Sequence, residues 1–356
     1  MKITSLQIRC VSVPMPVPHR TASGVVAVSP LVLLTVDTDE GVRGHSITFT
    51  YTPAALKPTA ELMKNIEPML AGQLLAPGSV AMMLQARFRL LGTQGLVGMA
   101  LAGIDMALWD ALARSKQLPL HALLGAAPKP LSCYGGIGYD GAVESGRTAE
   151  AWAKQGMRGV KAKIGYPTLA EDIAVIRAMR SAVGPDSAVM VDYNQSLTPA
   201  EARTRLQALD DEGLLWVEEP VLAHDYAALV QLGQRARTPL LAGENWWGPL
   251  DFRHAFNAGV RDHVMPDVMK CGGVTGWLAV SAMAQVYGAG VSSHLWPEVS
   301  AQLLTATPTA RWLEYADWWN PVLRQPLQLR EGLAHIDGVI GSGIEFDEAA
   351  VARCLA

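Results

Sequence analysis

The chain has 356 residues, of which 50% are hydrophobic and 17% are charged, and its formal net charge at pH 7 is −4. A chain of this length usually forms about two domains with a large buried core. The lysines and arginines are scattered along the sequence, which excludes the concentrated basic footprint that nucleic-acid binding produces. We therefore expect chemistry on small molecules.

The four cysteines lie far apart and form no CxxC pair: Cys10, Cys133, Cys271 and Cys354. This spacing disfavours both a zinc site and a disulfide framework. The N-terminal segment alternates like a strand instead of forming the apolar run of a signal peptide, and no apolar stretch approaches the ~20 residues of a membrane span. We expect a soluble protein of the cytoplasm that has neither nucleic acid nor a membrane as a partner.

The first 127 residues predict an α+β domain. Apolar residues recur at helical spacing over residues 52–124, until Pro119 and Gly125 interrupt the pattern. Before this helical region, alternating patterns and one turn predict three strands of an antiparallel meander: residues 3–13, 25–36 and 42–49.

Residues 128–319 repeat a strand and a helix at a nearly constant interval. Eight is the number of strands that a closed (β/α) barrel requires. The eight strand-like runs cover residues 131–139, 157–164, 188–193, 214–218, 239–244, 262–265, 290–294 and 311–314. No long helix is expected after the eighth run, and we expect the tail, residues 320–356, to pack back on the first domain.

From the second run onwards, each run ends on or beside one functional side chain. The carboxyl ends of the strands of such a barrel meet at one face and supply its catalytic groups. The side chains at these ends are Lys163, Asp192, Glu218, Glu244, Asp267, His294 and Glu314.

Three carboxylates in this series end consecutive strands. Asp192, Glu218 and Glu244 are expected about 5 Å apart at the barrel rim, where like charges require a cation. A single acidic residue in this position could equally cap a helix. Three in register, with no histidine or cysteine among them, predict a Mg²⁺ site, because hard cations prefer oxygen ligands.

Lys161 and Lys163 stand two residues apart on the second strand, so both side chains should point into the barrel. Lysine is rarely buried unless it is paired. Repulsion between the two ammonium groups, together with partial burial, should lower the pKa of Lys163 into the range of a general base. The alternative is a solvated lysine pair on an edge strand.

Asp267 and His294 end adjacent strands, which should allow the carboxylate to fix the imidazole tautomer and raise its basicity. Glu314 ends the last strand. A raised pKa would let Glu314 act as a neutral acid if one of three tryptophans shelters it from water: Trp296, Trp312 or Trp318.

The segment GIGYDG, residues 136–141, matches the GxGxxG pattern of dinucleotide binding. Two features oppose that interpretation. Ser145-Gly146 interrupts the helix that should follow, and Lys161 and Lys163 occupy the strand end where an acid for the ribose is expected. We expect the glycines to clear space at the barrel mouth instead.

Seven segments resemble the motif series of the mandelate racemase family, within the enolase superfamily: VKAKIGYP, MVDYNQSL, VEEP, GENWWGP, MPDVMKCGGVTGW, SSHLW and TPTARWLE. The resemblance includes LVLLTVDTDEG, YTPAALK and GIDMALWDALA in the first domain and weakens beyond Glu314. It implies a (β/α)7β modified TIM barrel under an α+β capping domain that the N-terminal part and the C-terminal tail form together.

This resemblance implies that Asp192, Glu218 and Glu244 bind Mg²⁺. It also implies that Lys161 contacts the substrate carboxylate and that Asn194 lies beside the metal.

The resemblance further implies a pair of bases. Lys163 would serve one face of the α-carbon and His294, backed by Asp267, the other, as enolase-superfamily sites combine a Lys or His base with Mg²⁺. Glu314 would hydrogen-bond a carboxylate oxygen as charge develops.

The sequence departs from the racemase pattern at the substrate. Gly135-Gly136 replaces Asp-Ser, and His19 and Ser23 replace two valines of an apolar wall. We expect Tyr51, in YTPAALK, and Trp296, which replaces a smaller residue, to contact the substrate. The polar replacements predict a substrate with a polar distal group.

We therefore predict Mg²⁺-dependent racemisation or epimerisation of a 2-hydroxycarboxylate through an enediolate. The alternative on the same scaffold is an acid-sugar dehydratase, in which His294 would expel a β-hydroxyl. A nicotinamide oxidoreductase rests only on the glycine motif, and a non-catalytic barrel needs neither two bases nor an acid. The expected partners are a small carboxylate substrate and further copies of the chain in a homo-oligomer.

Overall fold

The computed structural model describes residues 1–21 and 24–356. The chain begins with the predicted antiparallel meander, a three-stranded sheet in the order β1-β2-β3 that packs against helices. The elements of this capping region are β1 Ile3–Thr21, β2 Gly24–Thr38, β3 Arg43–Phe49, α1 Pro53–Leu70, α2 Pro77–Arg87, α3 Gly95–Ser115 and α4 Leu120–Leu123.

Helix α3 lies at the centre of the capping region. By length and composition it could cross a membrane, but 78% of its most apolar window is buried inside the protein. The expectation that no apolar stretch is long enough for a membrane span is therefore wrong, because α3 has the required length and composition. Its burial is typical of a core helix. Asp105 of α3 accepts a hydrogen bond from Thr275 N at 2.9 Å, which ties the capping region to the barrel.

The barrel contains all eight predicted strands, and seven of the neighbouring pairs run parallel. The eighth contact closes the ring through a parallel bridge between Val291 and Ala310. The strands are β4 Leu131–Ile137, β5 Gly159–Lys163, β6 Ala188–Asp192, β7 Val217–Glu218, β8 Leu240–Ala242, β9 His263–Val264, β10 Gly290–Val291 and β11 Trp312–Tyr315.

One helix separates each pair of consecutive barrel strands, as the sequence interval predicts. The helices are α5 Gly141–Lys154, α6 Leu169–Val183, α7 Pro199–Leu209, α8 Tyr226–Gly233, α9 Gly248–Ala258, α10 Gly273–Tyr287 and α11 Pro297–Ala306. Thr168 and Thr198 begin α6 and α7 with complete capping boxes, in which Glu171 and Glu201 reciprocate.

The interior of the barrel is filled by one side chain from each of five strands or their immediate flanks: Tyr134, Met190, Trp216, Leu241 and Met265. Because side chains alternate along a strand, the residue two positions later returns to the interior, one layer nearer the mouth. Asp192, Glu218 and Asp267 follow three of these apolar residues by two positions. The apolar layer is therefore the floor on which the polar site stands.

The C-terminal tail contacts both regions. Its elements are a short 3₁₀ turn at Asn320–Val322, β12 Gln328–Arg330, β13 Leu333–His335 and α12 Glu348–Arg353. The predicted packing on the capping region includes the end of the tail, where Ser12 N donates to Cys354 O at 2.8 Å. The prediction missed that β13 first pairs antiparallel with the beginning of β4 and so joins the barrel sheet. The division of the chain into three units, with boundaries at 127/128 and 319/320 and the tail as a unit of its own, stays a proposal.

A buried carboxylate holds the tail to the capping region. Asp110 on α3 is fully buried, pairs with Arg114 Nε at 2.7 Å and accepts hydrogen bonds from Ser342 N at 2.6 Å and His45 N at 2.8 Å. Asp110→Ala should lower the free energy of unfolding by about 2 kcal/mol or more, because it leaves two amides without their acceptor and removes the ion pair of a partly buried guanidinium. Urea unfolding followed by tryptophan fluorescence measures this loss. Glu144→Ala, which breaks an exposed ion pair with Arg147, should leave the midpoint unchanged, and equal effects in the two variants would refute this role of Asp110.

Candidate active site and metal centre

Three buried carboxylates converge at the mouth of the barrel. Asp192 ends β6, Glu218 ends β7, and Glu244 lies two residues beyond β8. Each offers one oxygen, and these oxygens all lie within 4.8 Å of one another. A cluster of oxygen ligands without histidine or cysteine, removed from water, fits a hard divalent cation such as Mg²⁺.

The two lysines of β5 contact these carboxylates. Lys161 Nζ lies 2.9 Å from Glu218 Oε1 and 2.7 Å from Glu314 Oε1, whereas Lys163 Nζ lies 3.2 Å from Asp192 Oδ2. Lys163 Nζ also donates to Asn194 Oδ1 at 2.7 Å. Both lysines are inside the barrel, so the edge-strand alternative is wrong.

The surroundings of these groups correct two sequence-based pKa expectations. Burial lowers the pKa of Lys163, but the carboxylates of Asp192, Glu244 and Glu218 together outweigh burial and the pKa is raised above its ordinary value. Burial likewise raises the pKa of Glu314, yet Lys161 and His294 bring it below the ordinary value. In the protein without metal or substrate, Lys163 is therefore an ammonium and Glu314 a carboxylate.

His294 lies across the mouth from Lys163. Its Nδ1 lies 2.7 Å from Asp267 Oδ2, the predicted carboxylate partner, and its Nε2 lies 3.2 Å from Glu244 Oε2. Burial lowers the pKa of His294, but Glu244 and Asp267 together raise it above the ordinary value. Tyr51, from the capping region, donates to the same oxygen of Asp267 at 3.2 Å.

The backbone around the site is strained. Left-handed φ angles are unfavourable for residues other than glycine and concentrate at functional sites. Six of the eight such residues in the described ranges border the barrel mouth: Tyr51, Asn194, Gln195, Glu219, Leu295 and Trp296. The site thus uses conformations that the surrounding fold has to enforce.

A cavity of about 970 Å³ separates the capping region from the barrel mouth. Lys163, Asn194, Glu244 and His294 line its barrel side. The opposite side, which the capping region and the loops after β10 and β11 form, is mainly apolar. We call it the apolar wall; it consists of Val25, Val26, Ala27, Val28, Phe49, Leu96, Met99, Leu295 and Trp318.

The residues predicted to contact substrate divide into three groups. His19 and Tyr51 line the cavity, with the His19 ring centroid 5.1 Å from that of Trp318. For Trp296 the structure differs from the expectation. Its indole is buried, lies 5.5 Å from the Trp319 ring and donates to Ile47 O, so it joins the barrel to the capping region. Trp296 is not among the described residues that line the cavity. Ser23 lies outside the described residues.

The glycine pair on β4 has two different roles. A Cβ on Gly135 would lie 2.4 Å from Trp152, whereas a Cβ on Gly136 would meet no atom within 4 Å. Gly136 pairs with Lys161 on β5 and therefore leaves open space inside the barrel. Gly138 is close to Arg20 of the capping region, so the GxGxxG pattern brings the two regions together here.

Sequence reasoning missed three polar residues beside the metal ligands, of which Lys270 and Glu219 are buried and Asn245 is partly buried. Lys270 donates from Nζ to Asn245 Oδ1 at 2.7 Å, and Asn245 Nδ2 donates to Glu219 Oε2 at 2.8 Å. All three lie within the matched motifs MPDVMKCGG, GENWW and VEEP, each three residues or fewer from a predicted site residue. That proximity was the only sequence signal.

Comparison with known proteins agrees with this geometry. Residues 144–350 match the family described as enolase C-terminal domain-like, and residues 3–125 match the N-terminal domain of mandelate racemase and muconate lactonizing enzymes. An enolase from Bradyrhizobium, solved with magnesium and mandelic acid, superposes with a TM-score of 0.95 at 44% identity and covers 100% of this chain and 98% of that chain.

Two curated relatives catalyse different reactions. L-talarate/galactarate dehydratase of Salmonella typhimurium is 32% identical across 73% of this chain and 66% of that protein. L-Ala-D/L-Glu epimerase of Bacillus subtilis is 30% identical across 81% of this chain and 79% of that protein. The matches and the buried triad confirm the predicted fold and the Mg²⁺ cofactor, whereas the reaction differs among the relatives.

The triad predicts one Mg²⁺ site per chain, which calorimetric titration can count. Glu218→Gln should weaken Mg²⁺ binding by more than about 100-fold, since loss of an outer-shell partner alone costs about 10- to 100-fold. Glu345→Gln, a change at the surface of the tail, is the control and should bind as the parent does. Unchanged affinity in a well-folded Glu218→Gln protein would exclude this triad as the metal site.

Proposed function

Because this chain belongs to the mandelate racemase and muconate lactonizing enzyme family of the enolase superfamily, we propose that it is a Mg²⁺-dependent racemase of 2-hydroxycarboxylates with an apolar distal group. The coarser activity, Mg²⁺-dependent removal of a proton next to a carboxylate, is that of the superfamily. The finer assignment depends on the two proton-transfer groups and on the wall of the cavity.

The observation that carries the proposal is the placement of Lys163 and His294. They come from the second and seventh strands of the barrel, and the three ligand strands lie between them. Lys163 contacts Asp192 on one side of the triad and His294 contacts Glu244 on the other, both at 3.2 Å. A substrate bound above the triad has one proton-transfer group on each side.

The chemistry requires stabilisation of a second negative charge. A proton beside a carboxylate is barely acidic, and Mg²⁺, when bound, supplies positive charge that stabilises the enediolate by several kcal/mol. Lys161 is positioned to bind the substrate carboxylate oxygens, and Glu314, 2.7 Å from Lys161, would donate a hydrogen bond to one of these oxygens once it carries a proton. Asp192, once it holds a cation, would favour the ammonium form of Lys163 less strongly.

Each turnover then moves two protons. From one enantiomer, the neutral amine of Lys163 takes the α-proton, and imidazolium Nε2 of His294 delivers a proton to the opposite face of the α-carbon. The other enantiomer reacts in the reverse direction. Asp267 holds the His294 ring through Nδ1 at 2.7 Å, so that Nε2 faces the cavity.

The cavity wall selects the distal group of the substrate. Around Val26, Met99 and Trp318 a distal hydroxyl finds few partners, and an unpaired buried polar group costs about 1–3 kcal/mol. The polar residues on this side of the cavity are His19, Thr50, Tyr51 and Thr52. Burial, with Lys163 nearby, lowers the pKa of His19 to about 3, so His19 is neutral and can exchange a hydrogen bond but adds no charge. The sequence predicted a substrate with a polar distal group. From the cavity wall we instead propose a substrate with an aromatic or branched apolar distal group.

Acid-sugar dehydration is the second candidate, favoured by the 32% identical L-talarate/galactarate dehydratase. In that reaction Lys163 would take the α-proton and His294 would protonate the departing β-hydroxyl. A polyhydroxylated chain would place several hydroxyls against the apolar wall, each at the cost given above. That penalty favours racemisation.

The two-base arrangement predicts opposite defects in two variants. In D₂O with Mg²⁺, Lys163→Ala should stop α-proton exchange from one enantiomer of mandelate and leave exchange from the other, whereas His294→Asn should show the reverse pattern. NMR follows both exchanges. If either variant loses exchange from both enantiomers equally while its circular dichroism stays native, the two-base proposal fails and a one-base dehydratase gains support.

The apolar wall predicts substrate preference. kcat/KM for mandelate should exceed kcat/KM for tartrate by about ten-fold or more, the effect of one or two unpaired hydroxyls. His19→Val should reduce tartrate turnover further and change mandelate turnover little. A preference for tartrate in the unmodified protein would instead restore the sequence-based expectation of a polar substrate.

A further inference from the structure

We propose that Lys270 is a positioning residue of the metal centre, which acts through Asn245 to hold Glu244 as a ligand. No role in proton transfer or in binding the reacting carboxylate is assigned to it. The inference rests on the proposed Mg²⁺ site but not on the identity of the substrate or the reaction.

Lys270 is a buried cation on the wall of the active-site cavity, with 7% of its surface exposed. Its backbone N donates to Asp267 Oδ1 at 3.1 Å, and its Nζ lies 4.7 Å from the centroid of the Tyr51 ring. The carboxylate that orients His294 therefore also fixes the turn that presents Lys270. A buried ammonium persists only where negative or polar partners repay its desolvation.

Asn245 is the direct partner of Lys270. A lysine has only donors, so it must face Oδ1 of the amide, and Nδ2 then points to the acidic side. From there Nδ2 lies 3.1 Å and 2.8 Å from the two oxygens of Glu219 and 3.1 Å from Glu244 Oε1. One amide thus bridges a buried cation and two buried carboxylates.

This bridge determines how Glu244 is held. Asn245 Nδ2 takes Oε1 of Glu244, and His294 Nε2 contacts Oε2 at 3.2 Å. Without Lys270, the amide oxygen of Asn245 would be buried without its donor, and Glu219 and Glu244 would lose a nearby positive charge. The amide would then hold both carboxylates less firmly, because linked hydrogen bonds in a buried network strengthen one another.

The test is the affinity for Mg²⁺ alone, measured by calorimetry without substrate. Lys270→Met should raise the Kd for Mg²⁺ about ten-fold or more, the range for loss of an outer-shell partner. Lys270→Arg, which retains a cation that can only donate, should recover most of the affinity. Lys129→Met removes a lysine that donates to Thr307 O, far from the metal ligands in the barrel, and serves as the matched control with unchanged Kd.

A double-mutant cycle tests the route through Asn245. Asn245→Ala should weaken Mg²⁺ binding as Lys270→Met does, and the double variant should bind no more weakly than the weaker single variant. If the fold-increases in Kd of the two single variants multiply in the double variant, Lys270 acts independently of Asn245 and the proposal is overturned. A Kd for Lys270→Met equal to that of Lys129→Met would overturn it as well. If Lys270→Met does not fold, Lys270→Gln takes its place in the same cycle with Asn245→Ala, and the same two outcomes support or overturn the proposal. Because no substrate is present, absence of racemase activity does not affect the result.

Discussion

The balance of buried charge at the barrel mouth is the constraint on which the rest of the site depends. Six buried carboxylates meet there: Asp192, Glu218, Glu219, Glu244, Asp267 and Glu314. Four cationic groups face them: Lys161, Lys163, Lys270 and His294. With every group charged, two negative charges remain, which one divalent cation balances. Each unpaired buried ion costs several kcal/mol, so this excess of negative charge favours binding of Mg²⁺. The same cost explains why each lysine and His294 contacts a carboxylate or a polar partner.

The same alternation that builds the barrel also places these charges, which is why much of the fold and the ligand triad can be predicted from sequence. Where an apolar run ends on a polar residue, that residue points into the barrel one layer nearer the mouth than the last inward apolar residue. Met190 and Asp192 on β6 show this arrangement. The seven strands after the first follow this pattern, and several strands end earlier than predicted. Glu244 and His294 lie two and three residues beyond the ends of β8 and β10, and His294 pairs again through an isolated parallel bridge to Asp267.

What could not be predicted depends on partners that are distant in sequence. The pKa of Lys163 is raised because Asp192, 29 positions away, acts together with Glu244 and Glu218 to outweigh burial and the repulsion from Lys161. Trp296 was assigned to the substrate because of its position after His294, but its left-handed backbone turns the indole toward the capping region. The apolar wall combines residues of β2, β3 and α3 with barrel loops, and single replacements such as His19 did not reveal it.

The central claim is that a substrate bound to the metal lies between Lys163 and His294, each on one face of its α-carbon. A crystal structure of the protein with Mg²⁺ and atrolactate, a mandelate with a methyl group in place of its α-hydrogen, tests this most directly. The account predicts Lys163 Nζ and His294 Nε2 on opposite faces of the α-carbon, each within about 3.5 Å of the α-carbon or its methyl group, and the phenyl ring against the apolar wall. Both groups on one face, or an α-carbon in reach of only one of them, would contradict it.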